Sequence, residues 1–223
     1  MPHDVQAAPR SRRPRNTLTV EAILDAAETV AALGFESLTI RAVATELGAS
    51  PMALYRYFGT KGELVDALLN RVLGRFRPPP ESGDWISELR GFARRHRELL
   101  NRHPWAIGAL IGHPYPGPNA LPIGETALRI LGRGGIAGDG AVATFSGIIA
   151  LNYGWSSFVT ARGGDGHAPD PLPPAPPEYP LSLAAAASLA GYGSAAHYER
   201  VLDQLLAGVE AAAAEQARDT PLR

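Results

Sequence analysis

From residue 19 onward the apolar positions recur at spacings of three and four, the period that gathers one stripe on a helix. Ile23, Ala27, Val30 and Ala31 make the first stripe, with Thr19 placed to cap its start and Gly34 to end it. Phe35 and Leu38 follow as plugs for a small core. Val43, Ala44 and Leu47 form a shorter stripe that opens on Thr39 and stops at Gly48, a residue that reaches the left-handed backbone of a helix end without a steric penalty. Ser50 and Pro51 restart the chain at once as N-cap and first helical residue, which predicts a helix over 51–57. Thr60-x-x-Glu63 reads as a capping box, and Leu64, Leu68 and Val72 behind it predict a fourth helix over 61–75 that should connect two domains.

Two short helices joined by a glycine turn, the second without a long apolar face of its own, make a helix-turn-helix. Leu54 and Phe58 can pin the second helix, leaving Met52, Ala53, Tyr55, Arg56 and Tyr57 over the remaining surface. Small residues at its start would let the backbone approach base edges, while phenol hydroxyls and Lys61 suit phosphate oxygens. Taken alone, LYRYF serves equally well as packing aromatics. The capped turn before it and the capping box after it turn the reading toward DNA.

Three prolines at 78–80 with Ser82 and Gly83 form a stiff linker able to transmit motion. Beyond it the pattern is helical over 84–102, around 105–111, over 118–132 and over 139–161. The last of these is apolar around most of its circumference: Val142, Phe145 and Ile149 on one side, with Ile148, Tyr153, Trp155 and Val159 elsewhere. Such a helix is expected to be buried on all sides. Gly147 and Gly154 share a strip with Ala143 and Ala150 that suits a dimer interface, the alternative being close packing within one chain. Residues 163–180 are rich in proline and glycine and predict an extended loop. Helical pattern returns at 181–190 and at 195–216, where Tyr198, Leu202, Leu205 and Val209 repeat at three and four.

The predicted fold class is therefore all-α. A disordered basic arm would occupy 1–16, a three-helix helix-turn-helix domain with its connecting helix 17–77, and a second helical domain, with the candidate dimerisation strip, 78–223.

At 223 residues and 45% hydrophobic content the chain can bury a sizeable core. No apolar run approaches the roughly 20 residues of a membrane span, and the first residues lack a signal-peptide pattern, so a cytoplasmic location and no membrane partner are expected. The absence of cysteine excludes disulfides and thiolate chemistry. Net charge is −1, against nonspecific coating of nucleic acid. Residues 1–77 nevertheless carry ten basic against eight acidic side chains and residues 78–223 eleven against fourteen, so the N-terminal part is the better polyanion binder. Arg10, Arg12, Arg13 and Arg15 in the arm could follow a DNA backbone or simply solubilise the chain. No nucleophile elbow, phosphate-binding loop or HExxH motif is present, and GRGGIAGDG at 132–140 follows a helix rather than a strand, so an enzyme is not expected.

The stretch AILDAAETVAALGFESLTIRAVATELGASPMALYRYFGTKGELVDALL resembles the DNA-binding domain of the TetR family of one-component transcriptional regulators almost position by position. WISELRGFARRHRELLNRHPW, GPNALPIGETALRILGRGGI and the long helix resemble the C-terminal domain of that family's tetracycline-repressor class. The resemblance implies a homodimer on a palindromic operator. It implies DNA contacts by Thr39 and Arg41 at the start of the supporting helix, by Ser50, Pro51, Met52 and Ala53 at the start of the recognition helix, by the projecting Tyr55 and Tyr57, and by Lys61, which caps the next helix against phosphate. It also places a small-molecule effector among Phe92, His96, Leu110, Ile123, Ala127, Val142, Phe145 and Ile149, with His96 or Asn152 as the polar handle. The metal-binding histidine of tetracycline repressors falls on Leu110 or its neighbour Ala109, the partner-chain glutamate near Phe158, and a drug-binding glutamine on Ala127. No metal and no cofactor are therefore expected, and the implied effector is flat and mainly apolar. The implied function is repression relieved by that effector. The alternatives are a DNA-binding dimer controlled by a protein partner, and a small-molecule-binding helical protein or enzyme on this fold.

Overall fold

The computed structural model describes residues 18–113, 115–163, 176–189 and 191–219. The basic arm expected over 1–16 and residues 164–175 of the expected loop lie outside the described residues.

Side-chain caps set the register of the N-terminal helices. Thr19 accepts the Ala22 N–H at 3.2 Å and starts α1, Val20–Ala32. Thr39 accepts the Ala42 N–H at 3.0 Å at the head of α2, Ile40–Leu47. Gly48 ends α2 at φ 64°, and Ser50 then caps α3, Pro51–Tyr55, by accepting the Ala53 N–H at 3.3 Å. Thr60 accepts the Glu63 N–H at 3.1 Å and opens α4, Lys61–Leu73. Each such cap is worth about 1 kcal/mol, enough to decide where short helices begin. Two details differ from expectation. Glu63 reaches back to the Gly59 N–H at 2.9 Å, one residue before the N-cap. α3 closes two residues early, because the N–H groups of Tyr57 and Phe58 both turn back to the Leu54 carbonyl.

The rest of the described chain is helical and contains no strand. α5 is Trp85–Arg102, α6 Ala106–Gly112, α7 Leu121–Arg133, α8 Gly138–Ala161, α9 Pro180–Ala184, α10 Ala186–Leu189 and α11 Ala195–Asp219. α5 packs against both α7 and α8, and α11 lies along α5. The linker before α5 is tied down by a buried carboxylate. Glu88 accepts the N–H groups of Ser82 at 2.7 Å and Gly83 at 3.0 Å and pairs with Arg133 on α7. Its carboxyl is held below the usual glutamate range, first by the Ser82 N–H.

The buried apolar side chains form one cluster that runs from Ile23 to Val209 and passes through Leu64, Leu68, Leu69, Val72 and Leu73 of α4. The two expected domains thus share a core through the helix that connects them.

Three helices depart from the pattern reading. α8 was expected to be buried on all sides, yet one chain buries only Ala141, Ile148, Asn152 and Ser156, while Val142 is 53% exposed and Phe158 is also exposed. Its buried stripe faces α5 and α7, and among the described residues much of the opposite side stays exposed. On α11 the buried stripe is Tyr198, Leu202, Leu206 and Val209; Leu206, not Leu205, takes the inner position because the stripe follows the four-residue ridge from Leu202. The expected helix at 181–190 is two single turns broken at Ala185, whose ψ has swung to 0°. Neither turn buries a side chain, so packing does not hold it in helical register.

Gly134, at the end of α7, permits a close approach: a Cβ there would sit 2.5 Å from Cδ2 of the Trp85 ring. Gly134→Ala is expected to destabilise the chain by about 1–3 kcal/mol by pushing that rigid ring aside. Gly132→Ala, two residues earlier with nothing within 4 Å, should be neutral or stabilising by up to ~1 kcal/mol. Urea unfolding of the two variants checks this; equal effects would remove the Trp85 contact as the cause.

Candidate functional site

At the N-terminal end the inner side of α3 is fixed by Leu54, fully buried, and by Phe58 just after the helix. What remains outside is unusual for so small a helix. Met52 is 72% exposed and Tyr55 47% exposed, with Pro51, Arg56 and Tyr57 also open and Ala53 half-buried. Thr39, Arg41, Ser50 and Lys61 are exposed around it. Thr39 and Ser50 accept backbone N–H bonds as caps, so each hydroxyl proton is still available to an incoming acceptor. The two tyrosines, treated alike in the sequence, differ here. The Tyr57 hydroxyl donates to the Leu18 carbonyl and holds the chain leading into α1 against the end of α3, which leaves Tyr55 as the phenol that can donate outward. Lys61 is the first residue of α4, not its cap, and its ammonium lies 5.5 Å from the centre of the Phe35 ring.

In the C-terminal half, helices α4, α6, α7 and α8, Ala120 just before α7 and the α5 imidazole line a cavity of about 340 Å³ that is open on one side. Five predicted residues line it: His96, Leu110, Ile123, Phe145 and Ile149. Phe92, Ala127, Val142 and Asn152 do not. Phe92 is buried behind the wall, its ring 5.6 Å from Phe76 and 6.2 Å from Phe145. Ala127 is buried core on α7, and Val142 lies on the open side of α8. Leu73, Ile111, Ala120, Ser146, Ala150 and Tyr153 line the cavity without having been predicted. Phe145, Ser146, Ile149, Ala150 and Tyr153 follow the helical spacing that would have revealed the α8 face once one member was known. Leu73 carried no signal beyond its place in the α4 stripe.

The polar element of this wall is built from three helices. Asn152 of α8, fully buried, donates its amide to the Ala93 carbonyl at 2.9 Å and lies 3.1 Å from Nδ1 of His96. Tyr198 of α11 donates to Oδ1 of Asn152 at 2.7 Å. Burial alone drives the His96 pKa down to about 4, so the imidazole is neutral at pH 7. Burial likewise pushes the Tyr198 phenol up to about 12, keeping it a donor, with the Arg97 guanidinium 4.3 Å from its ring centre. No carboxylate lines the cavity, and among the described residues no three of His, Cys, Asp or Glu gather as metal ligands. Leu110 occupies the wall where the resemblance put a metal-binding histidine. The donor set does not fit a magnesium chelate.

The exposed tip and the cavity are joined by α4. Lys61 begins it beside the tip and Leu73 ends it in the cavity wall, about 20 Å away at 1.5 Å per residue. Its later turns are gripped from the C-terminal half. Asn70 takes the Asn119 N–H at 2.8 Å on its amide oxygen, and the Asn119 side chain donates back to the Asn70 carbonyl at 2.9 Å. His113 Nδ1 lies 2.6 Å from Asp66. Gly74 and Gly117 make room for this clasp: a Cβ on either would come within 2.6 Å of Asn119 or Asn70. Just beyond α4, Arg75 binds Glu28 of α1 through two nitrogens, which holds the Glu28 carboxyl below its ordinary range, and Arg75 also meets His103 at the end of α5.

The family model for bacterial regulatory proteins of the tetR family matches residues 23–68, and that for the tetracyclin repressor-like C-terminal domain matches residues 77–213. The chain belongs to the TetR family. It is 40% identical over 124 residues to the HTH-type transcriptional repressor DrrR1 of Streptomyces coeruleorubidus, a match covering 54% of this chain and 46% of DrrR1. It is 31% identical over 140 residues to the class A tetracycline repressor of transposon 1721 from Escherichia coli, covering 61% of this chain and 63% of the repressor. The chain thus spans from about half to under two thirds of the length of these relatives. The fold resembles that of the Streptomyces coelicolor TetR family protein ActR in complex with actinorhodin, with a TM-score of 0.74 at 24% identity over 88% of this chain and 98% of ActR. TetR family membership accounts for the all-α fold and the helix-turn-helix, whereas the polar triad behind the cavity is read from this chain's own contacts. Among the described residues no helix is long and apolar enough to cross a membrane.

The neutral imidazole makes stability pH-dependent with a definite sign. His96 titrates near 6.5 when unfolded and at about 4 when folded, so between these values the unfolded chain binds more protons. Stability contributed by the neutral ring is complete above pH 6.5 and is lost as pH falls toward 4, by on the order of 3 kcal/mol. His96→Asn keeps an acceptor for Asn152 and removes the titration. The stability gap between wild type and variant, measured by urea unfolding, should shift by about that amount in the variant's favour from pH 7 to pH 4; a constant gap would mean the ring is not buried and neutral.

Proposed function

We propose that the chain is a ligand-responsive, sequence-specific DNA-binding transcriptional regulator, acting in the cytoplasm as a homodimer that represses from a palindromic operator and is released by a mainly apolar small molecule. The observation that carries this reading is the placement of α4, which starts beside the exposed α3 tip and ends in the cavity wall. A ligand pressing on Leu73 acts on the same rigid element that orients the tip. The relatives support it: DrrR1 is named a repressor, and ActR was solved with actinorhodin. A mainly apolar cavity in contact with α4 favours small-molecule control over control by a protein partner.

The DNA-contacting surface would be Thr39, Arg41, Ser50, Pro51, Met52, Ala53, Tyr55, Tyr57 and Lys61. Met52 and Tyr55 would meet base edges, and the cap hydroxyls, Arg41 and Lys61 would meet phosphates. Tyr57 would act mainly by holding the chain before α1. Dimerisation would use the open side of α8, where Cβ atoms built on Gly147 and Gly154 meet nothing within 4 Å. Ser146 and Ala150 are exposed and also line the cavity, so a partner on this side would help close it. A two-fold axis there would set the recognition helices about 34 Å apart, in successive major grooves. The ligand needs only to prefer the non-matching arrangement; a 100-fold preference corresponds to about 2.7 kcal/mol.

Selection of bound duplexes from a random library, at a stated salt concentration, should enrich a palindrome. On that operator Tyr55→Ala is expected to weaken binding about 5- to 100-fold, the ~1–3 kcal/mol of a groove contact, with ligand affinity unchanged. Phe145→Ala should blunt release by ligand while leaving DNA affinity in its absence intact. Loss of both activities in either variant, or no enriched sequence from folded dimer, would overturn the assignment.

A further inference from the structure

The hydrogen bonds behind the cavity wall determine which nitrogen of His96 carries its proton. A backbone carbonyl only accepts, so the Asn152 atom 2.9 Å from the Ala93 carbonyl is the amide nitrogen. The Tyr198 hydroxyl, donating to Oδ1 at 2.7 Å, holds the other end of the amide in the same sense. The same amide nitrogen lies 3.1 Å from Nδ1 of His96. Two hydrogen-bearing nitrogens would repel at that distance, so Nδ1 presents its lone pair. On a ring kept neutral by burial the proton then sits on Nε2. Asn152 and Tyr198 are both fully buried.

This ring stacks on Phe92 at an interplanar angle of 11° and lines the cavity together with the aromatic rings of Phe145 and Tyr153. None of the lining side chains is ionised at neutral pH, so a charged ligand would lose its hydration without a counter-charge. We propose that Asn152 and Tyr198 are positioning residues that fix His96 as an Nε2–H donor, and that the cavity therefore selects an uncharged, flat ring system carrying a carbonyl-type oxygen. This rests on the reading of the cavity as the effector site. An oxygen acceptor completes the imidazole, whereas a hydrocarbon leaves the N–H facing an apolar surface and a donor meets it hydrogen to hydrogen.

Two measurements on the full chain test the proposal. In protein labelled with 15N, His96 at pH 7 should show a protonated Nε2, a bare Nδ1 and a scalar coupling across the Asn152 amide bond to Nδ1; Tyr198→Phe should weaken that coupling. A protonated Nδ1, or an imidazolium, would overturn the proposal and leave the regulator reading standing. For the ligand class, 9-fluorenone and fluorene share one flat tricyclic shape and differ by a carbonyl oxygen. Wild type should bind 9-fluorenone ~3- to 10-fold more tightly, the range of one net hydrogen bond. The advantage should vanish in His96→Phe, which keeps the aromatic ring. Equal binding of the two by wild type would overturn the ligand class alone. Binding of neither would overturn it together with the effector role of the cavity, while enrichment of a palindrome would still support DNA binding.

Discussion

The fold depends on the burial of α4 on both of its sides. Leu64 and Leu68 close the core of the helix-turn-helix, while Val72 and Leu73 close the core beneath the cavity, and all four are buried in one continuous cluster. Neither half can therefore relax independently. A helix packed this way does not deform smoothly, because close-packed interiors resist sub-ångström adjustment, and it moves as a rod or not at all. The polar contacts around it have the complementary character. The Asn70–Asn119 pair, the Asp66–His113 contact and the Arg75–Glu28 pair are half-buried or at the surface, directional, and individually worth only about a kilocalorie per mole or less. They can be exchanged for a second set at small net cost. A stiff apolar rod held by replaceable polar clasps is what a two-state coupling between distant surfaces requires.

The same division of labour appears on the other side of the cavity. α5, α8 and α11 are held by apolar contacts, but the Ala93, His96, Asn152 and Tyr198 groups tie one member of each to a shared hydrogen-bond chain. A network of this kind is stable only when every member is satisfied, so it resists partial rearrangement and gives the wall a defined chemical face. Trp155 extends it toward α11, packing 5.9 Å from the Tyr198 ring while its indole N–H donates to the Gly193 carbonyl at 3.0 Å. Behind the His96 ring, which lines the cavity with the Ser146 and Tyr153 side chains, thus stand two polar residues that do not line it.

Local rules read the N-terminal third well because its structure is local. Thr19, Thr39, Gly48, Ser50, Pro51 and Thr60 each act within four residues of their own position, and each cap is found where its residue type predicts. Tyr57 is the exception in that region. Its hydroxyl meets the Leu18 carbonyl, 39 residues away, so no sequence window could separate it from Tyr55.

The C-terminal half was less legible for a different reason. A helix apolar around its whole circumference, as α8 is, carries no phase: Val142, Phe145 and Ile148 are equally hydrophobic, yet one is exposed, one lines the cavity and one is core. Phase comes only from the neighbours, and the neighbours come from elsewhere in the chain. Phe92 was placed at the cavity by the family resemblance, which fixes its position on α5 but not whether an aromatic ring there lines the cavity or packs in the layer behind it. Asn152 carried the clearest signal. An amide in the middle of a mostly apolar helix must be satisfied where it is buried, so it marks a specific polar partnership even when its partners, Ala93, His96 and Tyr198, cannot be named. In such a helix the buried amide says more about the site than the apolar majority, because burial tolerates many hydrocarbons in one place but few arrangements of a hydrogen bond.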